Sequence, residues 1–396
     1  MKINDFYKEV YMKRVAFTGG LIFNTNSETF VSANILCEDG YIKDITRDEV
    51  PYNYEVISVE GKYVIPGLVD VHTHGIAGYD FNYAKDTDIP SMIHTYAKAG
   101  TTSIMATLAS DSVSHIMNSV FAINQNRLNT QKGYANILGV HMEGRYLNPD
   151  MKGAHNIQYL ALPNQKELNS LVLSMMPPPI HFSMAPELPG AMEFIEQAKE
   201  LNATVGIAHT NATYEEAMAA VKAGARSFTH TFNAMTKVHH RNPGAAVCAL
   251  NCDDAYAEII CDGDHVHPAM IKLAYKSKPK DKLVLITDSM SATCCADGMY
   301  KIAGTDVYVK AGRAVDVNGT LAGSTLTMFN AMRNLMKFCK ISLNEAIKYA
   351  TINPAKMIKA DFVGKIAKCY RADFITISDI TNPEIDNVYI GGCEVK

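Results

Sequence analysis

The first sixty residues alternate apolar and polar side chains in short runs separated by turn signals. The runs are VAFTGGLIFN (15–24), SANILCEDGYIKDI (32–45) and YEVISVEGKYVIPG (54–67). Short alternating runs of this kind, one of them with an Asp-Gly turn, are typical of an antiparallel sheet. The chain is therefore predicted to begin with a small β domain.

From residue 64 the pattern changes, and apolar runs alternate with amphipathic stretches of helical period. This alternation predicts βα units and a parallel sheet. There are eight such runs: VIPGLVDVHTHG (64–75), SIMATLA (103–109), NILGVHMEG (136–144), PIHFSMAPE (179–187), ATVGIAHT (203–210), RSFTHTFN (226–233), AYAEIICDGDH (255–265) and KLVLITDSM (282–290). Eight parallel strands are the number that a closed (β/α)8 barrel requires.

The intervening segments predict helices, and the remainder of the chain returns to β structure. Predicted helices cover 111–125, 164–176, 190–202, 213–224 and 325–339. Thr213 and Glu216 have capping-box spacing, and Gly224 follows as a helix end. Short strands are expected over 299–320, and the segments 363–379 and 385–395 are predicted to pair with the N-terminal sheet.

The predicted fold class is therefore α/β, a (β/α)8 TIM-like barrel with a small β-sandwich domain formed from both termini. The split β domain is predicted over 1–63 and 355–396, and the catalytic barrel over 64–354.

Composition and charge narrow the classes of partner. The 396 residues are 47% hydrophobic and 20% charged, without an apolar stretch near the roughly 20 residues of a membrane helix, which predicts a soluble protein without a membrane partner. A net charge of −4 gives no basic footprint for nucleic acid. The start lacks the apolar core of a signal peptide, and nine cysteines without CxxC pairs favour reduced thiols and a cytoplasmic location.

Metal-ligand residue types recur where the predicted strands end. They are His72, His74, Glu143, His209, His230 (placed within the sixth run) and Asp288. Any one histidine in an apolar run is more often a hydrogen-bonded core residue, and His94, His115 and His181 are expected to be of that kind or exposed at the surface. Their coincidence at the C-terminal ends of strands, where barrel active sites lie, instead predicts a site for a divalent metal such as zinc, iron or manganese.

Several longer motifs give the chain a family resemblance. The segments PGLVDVHTHG, HMEGRYLNPDMKGAHN, AHTNATYEEA, THTFNAMTKVHHRNPG, CDGDHVHP, ITDSM and LAGSTLTM resemble, in order and spacing, those of the N-acetylglucosamine-6-phosphate deacetylase family in the amidohydrolase superfamily. The resemblance implies hydrolysis of the acetamide of N-acetylglucosamine 6-phosphate, in amino-sugar catabolism or recycling. It also implies a divalent metal cofactor, zinc or iron, with one or two ions per subunit.

The same resemblance assigns residue roles at the reacting centre. It implies that Glu143, His209 and His230 hold the catalytic metal and that His72 and His74 help to form a second site sharing Glu143. Asp288 is implied as general base and acid, taking a proton from the attacking water and returning it to the sugar nitrogen. His155, in KGAHN, is implied to stabilise the oxyanion.

For the amino-sugar phosphate, the resemblance implies a binding set of residues from several loops. They are Ala154, Asn233, Ala234, Arg241, His265, Leu321, Ala322 and Gly323. The arginine comes from a neighbouring subunit in some relatives, so the resemblance implies a homodimer. Arg145 and Tyr146 depart from the family pattern after Glu143 and leave fine substrate preference open.

Other readings stay open on the sequence alone. The chain is compatible with an amidohydrolase acting on another N-acyl amino sugar or on a cyclic amide, although cyclic-amide hydrolases usually bridge two metals with a carboxylated lysine. A non-catalytic scaffold is disfavoured because such proteins usually lose ligand histidines or the strand-eight aspartate, and this chain has them all.

Overall fold

The computed structural model describes residues 14–128, 132–175 and 179–396. The first thirteen residues of the predicted β domain and Met176, at the end of a predicted helix, lie outside these ranges. The strands are β1 (Arg14–Thr18), β2 (Leu21–Asn24), β3 (Thr29–Ser32), β4 (Asn34–Glu38), β5 (Tyr41–Thr46), β6 (Glu55–Ser58), β7 (Tyr63–Pro66), β8 (Leu68–Thr73), β9 (Gly75–Ile76), β10 (Tyr79–Asp80), β11 (Thr101–Ala109), β12 (Asn136–Glu143), β13 (Ile180–Met184), β14 (Thr204–Ile207), β15 (Ser227–Phe228), β16 (Tyr256–Ile260), β17 (Leu283–Ile286), β18 (Gly298–Ile302), β19 (Thr305–Lys310), β20 (Arg313–Val315), β21 (Phe374–Ile377), β22 (Asn387–Ile390) and β23 (Cys393–Glu394).

Helices alternate with the strands through the middle of the chain. They are α1 (Ile89–Lys98), α2 (Val113–Leu128), α3 (Gln165–Ser174), α4 (Ala191–Glu200), α5 (Tyr214–Ala223), α6 (Ala245–Asn251), α7 (Pro268–Ser277), α8 (Met328–Cys339), α9 (Leu343–Ala346) and α10 (Ile352–Met357), with 3-10 turns at Pro149–Met151, Ile157–Tyr159 and Ile347–Ala350. The five predicted helices are confirmed as α2, α3, α4, α5 and α8. Among the described residues, no helix combines the length and apolar character needed to cross a bilayer.

Eight parallel strands form one sheet in chain order, β8, β11, β12, β13, β14, β15, β16 and β17. The sheet closes where the first and last strands meet, because the Asp288 amide donates to the His72 carbonyl at 2.9 Å and Thr73 bridges Ser289. Strand and helix residues share one apolar core. The predicted barrel is confirmed, and its closure brings the ends of distant runs to one rim.

The terminal segments form the small β-sandwich. One sheet has the order β5, β4, β1, β6, and the other has the order β23, β22, β21, β7, β2, β3. Phe17 of the first sheet contacts Phe374 and Tyr389 of the second, with ring centroids 5.3 and 4.8 Å apart. The predicted pairing of the tail with the N-terminal sheet is confirmed, whereas the domain boundaries at 63/64 and 354/355 stay a prediction.

Helix α5 begins with the predicted capping box. Thr213 accepts a hydrogen bond from the Glu216 amide at 3.2 Å, and Glu216 accepts one from the Thr213 amide at 2.8 Å. The helix ends at Gly224, whose φ of 135° favours glycine. These reciprocal bonds satisfy donors that the first turn leaves unpaired.

We expect Thr213→Ala to lower the free energy of unfolding by about 1 kcal/mol, because it removes one of the two capping bonds. Urea denaturation measures the change. The matched control is Thr87→Ala, at an exposed threonine outside the helices. Equal losses in the two variants would contradict the capping role.

Candidate active site and metal centre

A cavity of about 460 Å³ opens at the C-terminal rim of the barrel. The predicted site residues that line it are His74, Glu143, Ala154, His155, His209, His230, Asn233, Ala234, His265, Asp288, Leu321, Ala322 and Gly323. His72 lies directly beneath, fully buried and in contact with His74. All of the predicted site residues except Arg241 therefore converge on one place.

Glu143 forms a triangle of ligand atoms with two imidazoles. Its Oε1 lies 3.3 Å from His209 Nε2 and 3.0 Å from His230 Nε2, and the two nitrogens are 3.1 Å apart. Glu143 ends β12, whereas His209 follows β14 and His230 follows β15. The placement of His230 inside the sixth strand is wrong: β15 ends at Phe228, and His230 has a φ of 33°, which a strand does not allow.

A second triangle of ligand atoms adjoins the first. The Nε2 atoms of His72 and His74 lie 3.3 Å apart, and they lie 3.5 and 3.3 Å from Asp288 Oδ1. Glu143 connects the two triangles, since its Oε1 is 3.5 Å from His72 Nε2 and its Oε2 is 3.0 Å from His74 Nε2. The arrangement offers two neighbouring cation positions with one shared carboxylate.

The spacing of these atoms fits a metal. Ligands held about 2.0–2.1 Å from a tetrahedral zinc ion lie about 3.3 Å from one another, close to the separations within both triangles. His209 gives a second indication, because its Nδ1 lies 2.7 Å from the Met151 carbonyl and must donate to it. The His209 Nε2 lone pair then faces the Glu143 carboxylate, and a cation between them removes that repulsion.

The pKa values of His74 and Asp288 also indicate that the ligand triangles favour positive charge. Burial alone would lower the pKa of His74, but hydrogen bonds to Asp288 and Glu143 outweigh it and raise the pKa to about 9. Burial alone would raise the pKa of Asp288, but the charge of His72 and contact with His74 outweigh it and lower the pKa to about 2. Asp288 is therefore ionised at neutral pH, the state that a proton acceptor requires.

His155 has a different role from the other imidazoles around Glu143. Its Nδ1 accepts from the Ser110 amide at 3.3 Å, so in the neutral ring the proton is on Nε2, 3.4 Å from Glu143 Oε2. Burial is the main cause that lowers the pKa of His155 to about 4, which keeps the ring neutral. His155 thus presents an N–H donor to the cavity rather than a lone pair for a metal.

The backbone is strained where three of these residues leave their strands. His209, His230 and Asp288 have φ values of 44°, 33° and 49°, in the left-handed region that residues other than glycine rarely adopt. Strain of this kind persists only where the surroundings impose it, and it clusters at functional sites. It turns each side chain from the strand end towards the shared cluster.

Glu187, after β13, fastens the neighbouring loops. It accepts hydrogen bonds from the Thr210 hydroxyl at 2.5 Å, the Asn211 amide at 2.7 Å and the Asn148 side chain at 2.8 Å. The backbone N–H of Asn148 also donates to the His209 carbonyl at 3.0 Å. These bonds hold His209 in register with the loop that carries His155.

His265 lies at the cavity wall beside a carboxylate. Its Nδ1 lies 2.6 Å from Asp262 Oδ2. Burial alone would lower the pKa of His265, but the hydrogen bond and charge of Asp262 outweigh it and raise the pKa above its ordinary value. The contact with Asp262 thereby fixes the orientation of the ring and favours its protonated form.

Arg241 and Arg145 lie outside the cavity. Arg241 is exposed and contacts His240 at 2.8 Å, so its predicted role stays a prediction that requires a second subunit. Arg145 pairs with Glu167 at 3.0 Å and donates to the Asp111 carbonyl at 2.9 Å. At this departure from the family pattern, the Arg145 side chain therefore holds a loop in place. It leaves the ligand triangles unchanged.

Sequence reasoning missed a polar layer inside the barrel, below the ligand triangles. Asp70, His141 and Glu258 are fully buried there, together with His181, the expected core histidine, which bonds Thr204 at 2.9 Å. The available signal was a carboxylate within an apolar run, as in LVDV and AYAEII. Such a residue is rarely buried without a partner.

Comparison with known proteins is consistent with this geometry. Residues 63–395 match the model of the amidohydrolase family. The chain is 31% identical to the N-acetylglucosamine-6-phosphate deacetylase of Lysinibacillus sphaericus over 87% of this chain and 89% of the relative. It is also 31% identical to the N-acetylgalactosamine-6-phosphate deacetylase of Escherichia coli O157:H7, over 90% of this chain and 96% of the relative.

A solved structure extends the similarity to the whole fold. The crystal structure of N-acetylglucosamine-6-phosphate deacetylase from Pasteurella multocida superposes with a TM-score of 0.88 at 28% identity, covering 96% of this chain and 99% of that one. The family match, the relatives and the shared fold all indicate the same family. The chain belongs to the amidohydrolase family.

Proposed function

We propose that this protein removes the acetyl group of N-acetyl-D-glucosamine 6-phosphate, giving D-glucosamine 6-phosphate and acetate. The observation that carries the proposal is the pair of ligand triangles joined by Glu143, one of which includes Asp288, at a cavity of about 460 Å³. The names of the relatives support the substrate class. Further support comes from the match of residues 63–395 to the amidohydrolase family.

The cofactor is a divalent metal, which we propose to be zinc or iron, with one or two ions per chain and a capacity for two. Glu143, His209 and His230 would hold one ion, and His72 and His74 with Glu143 the other. A bound ion polarises the acetyl carbonyl and makes water more acidic. Imidazole nitrogens with carboxylate oxygens are ligands suited to these ions.

Two side chains move or hold protons in the proposed reaction. Asp288 takes a proton from the water that attacks the acetyl carbon, and it delivers that proton to the sugar nitrogen as the C–N bond breaks. His155 donates its Nε2–H to the carbonyl oxygen as negative charge develops there. A new C–O bond replaces the C–N bond, so acetate and the free amine leave.

The phosphate end is proposed to meet His265, Asn233 and Ala234, which lie together on the cavity wall. We propose that Arg241 joins them from a partner subunit of a homodimer, since it is exposed on its own chain. An imidazolium and a guanidinium form charge-assisted hydrogen bonds to phosphate oxygens. This pairing would make the phosphate part of substrate recognition.

Acetate release from the sugar with and without its 6-phosphate tests the function. We expect kcat/KM to be about 10²- to 10³-fold higher for the phosphorylated sugar, because charged hydrogen bonds contribute about 1.5–3 kcal/mol each. Arg241→Ala should reduce this preference, whereas Lys237→Ala, at a neighbouring cation of the same segment, serves as the control. Preference for the unphosphorylated sugar would refute the phosphate assignment.

N-acetylgalactosamine 6-phosphate is the second candidate substrate, favoured by the relative from Escherichia coli O157:H7. The two sugars differ in one hydroxyl orientation, so parallel kcat/KM measurements decide between them. A cyclic-amide substrate is less suited to the site, because the cavity lining in the described residues contains no lysine. Hydantoin or dihydroorotate hydrolysis without acetate release would reverse this ranking.

A further inference from the structure

Glu258 is a buried carboxylate below the ligand triangles that takes no part in the proposed reaction. Glu258 lies in the middle of β16 with no exposed surface. Its Oε1 accepts from the Ser227 hydroxyl at 2.8 Å, but its Oε2 has no hydrogen-bond partner among the described residues. A buried carboxylate oxygen without a donor is costly, so this atom calls for an explanation.

The nearest donor candidate belongs to a ligand. His72 directs Nε2 towards His74, Glu143 and Asp288, which leaves Nδ1 on the opposite side of the ring. With its lone pair at Nε2, the neutral ring carries its hydrogen on Nδ1. This Nδ1 is buried, has no partner in the described residues, and lies 3.8 Å from Glu258 Oε2.

His181, which also lies near Glu258, does not supply that hydrogen. Its Nδ1 contacts the Thr204 hydroxyl at 2.9 Å, and that hydroxyl itself donates to the Ile180 carbonyl. His181 Nδ1 therefore carries the ring hydrogen, and its Nε2, 3.9 Å from Glu258 Oε1, has only a lone pair. Burial lowers the pKa of His181 to about 4, which keeps the ring in this form.

We propose that Glu258 is a positioning residue that accepts a hydrogen bond from His72 Nδ1, directly or through one buried water, and so aims His72 Nε2 at the metal ion on the His72–His74 side. The 3.8 Å gap suits a small closing shift or a bridging water. The proposal rests on the proposed function only in requiring that metal binds in the cavity.

The arrangement makes the two ligand triangles unequal. His209 is oriented by a neutral backbone carbonyl, that of Met151, whereas a carboxylate faces His72. The Nδ1 atoms of His74 and His230 also lack hydrogen-bond partners in the described chain. The ion pairs of these two rings with Glu143 run through Nε2, and no carboxylate in the described chain pairs with their Nδ1 atoms. A carboxylate behind an imidazole strengthens it as a ligand, so Glu258 selectively favours the ion held by His72 and His74.

Titration of the metal-free protein with Zn²⁺ against a chromophoric chelator tests this directly. We expect the wild type to bind two ions and Glu258→Leu to weaken one of them by about 10- to 100-fold while the other is unchanged. Glu258→Gln, which keeps an acceptor oxygen without the charge, should fall between them. Ser183→Ala, in the same buried layer, is the control and should bind as wild type.

The unfolding midpoint of the Glu258→Leu variant distinguishes a positioning role of Glu258 from a role in packing. An apolar residue in place of a buried charge is often neutral or stabilising, so Glu258→Leu should keep the unfolding midpoint of the metal-free protein while losing metal affinity. Equal affinities in wild type and Glu258→Leu, equal weakening of both ions, or a single ion in the wild type would each overturn the proposal.

A measurement on the wild type covers the case of a variant that does not fold. In zinc-loaded protein labelled with ¹⁵N-histidine, the proton of His72 should lie on Nδ1 with a strongly downfield shift, and a proton on Nε2 would overturn the proposal. Acetate release is assayed on the same samples. Two ions bound as expected without acetate release would refute the deacetylase function and leave the role of Glu258 intact.

Discussion

Asp288→Asn is expected to lower kcat for acetate release by about 10²- to 10⁴-fold, the range that positioned proton transfer contributes. Asparagine has nearly the same shape but cannot accept the proton of the attacking water. The ion of the Glu143, His209 and His230 triangle should remain, since Asp288 is not part of it. Steady-state assays of acetate release and metal analysis on one preparation measure both quantities.

The matched control is Asp281→Asn, an exposed aspartate before β17, which should retain wild-type kcat. An ester analogue of the sugar phosphate adds a sharper test, because a departing alkoxide needs less protonation than a departing amine. The variant should lose less activity on the ester than on the amide. Wild-type turnover of the amide by Asp288→Asn with metal bound would remove Asp288 from the proton path.

Glu143→Ala should abolish stoichiometric metal binding and lower acetate release by at least about 10³-fold, equivalent to about 4 kcal/mol of barrier. Glu143 lies within 3.5 Å of ligand atoms in both triangles, so no other residue contacts so many of them in the described structure. Without it, buried imidazoles face one another with one carboxylate fewer to attract a cation.

A chelator should reproduce the loss in the wild type, and added Zn²⁺ should restore activity only there. Glu193→Ala, an exposed glutamate in α4, provides the control for loss of one carboxylate. Circular dichroism establishes that Glu143→Ala is folded. A folded variant that keeps both its metal and its turnover would contradict the proposed centre.

The sequence predicts the barrel and the convergence of the candidate ligands because both depend on local regularities. Five of the eight apolar runs carry a metal-ligand residue type at or near their ends. Closure of eight parallel strands is enough to bring His72, Glu143 and Asp288 to one rim. The strand and helix periods are local properties of the chain. Asn233 and His265 are assigned by the family resemblance instead, and both line the cavity at that rim.

The remaining features depend on contacts between distant residues. The ring hydrogen of His155 is set by the Ser110 amide, and Arg145 points away because Glu167 is nearby. His230 leaves its strand early because its backbone is left-handed, although RSFTHTFN has a strand-like pattern. In the sequence Glu258 is a carboxylate within an apolar run, and only the closed barrel shows what it faces.

Closure of the barrel places the two sets of candidate ligands in different parts of the sheet. Glu143, His209 and His230 come from β12 to β15 in the middle of the sheet, whereas His72, His74 and Asp288 straddle the seam between the first and last strands. Any opening of that seam would separate the second set and leave the first together. An ion held by His72, His74 and Asp288 would therefore also link the first strand of the barrel to the last.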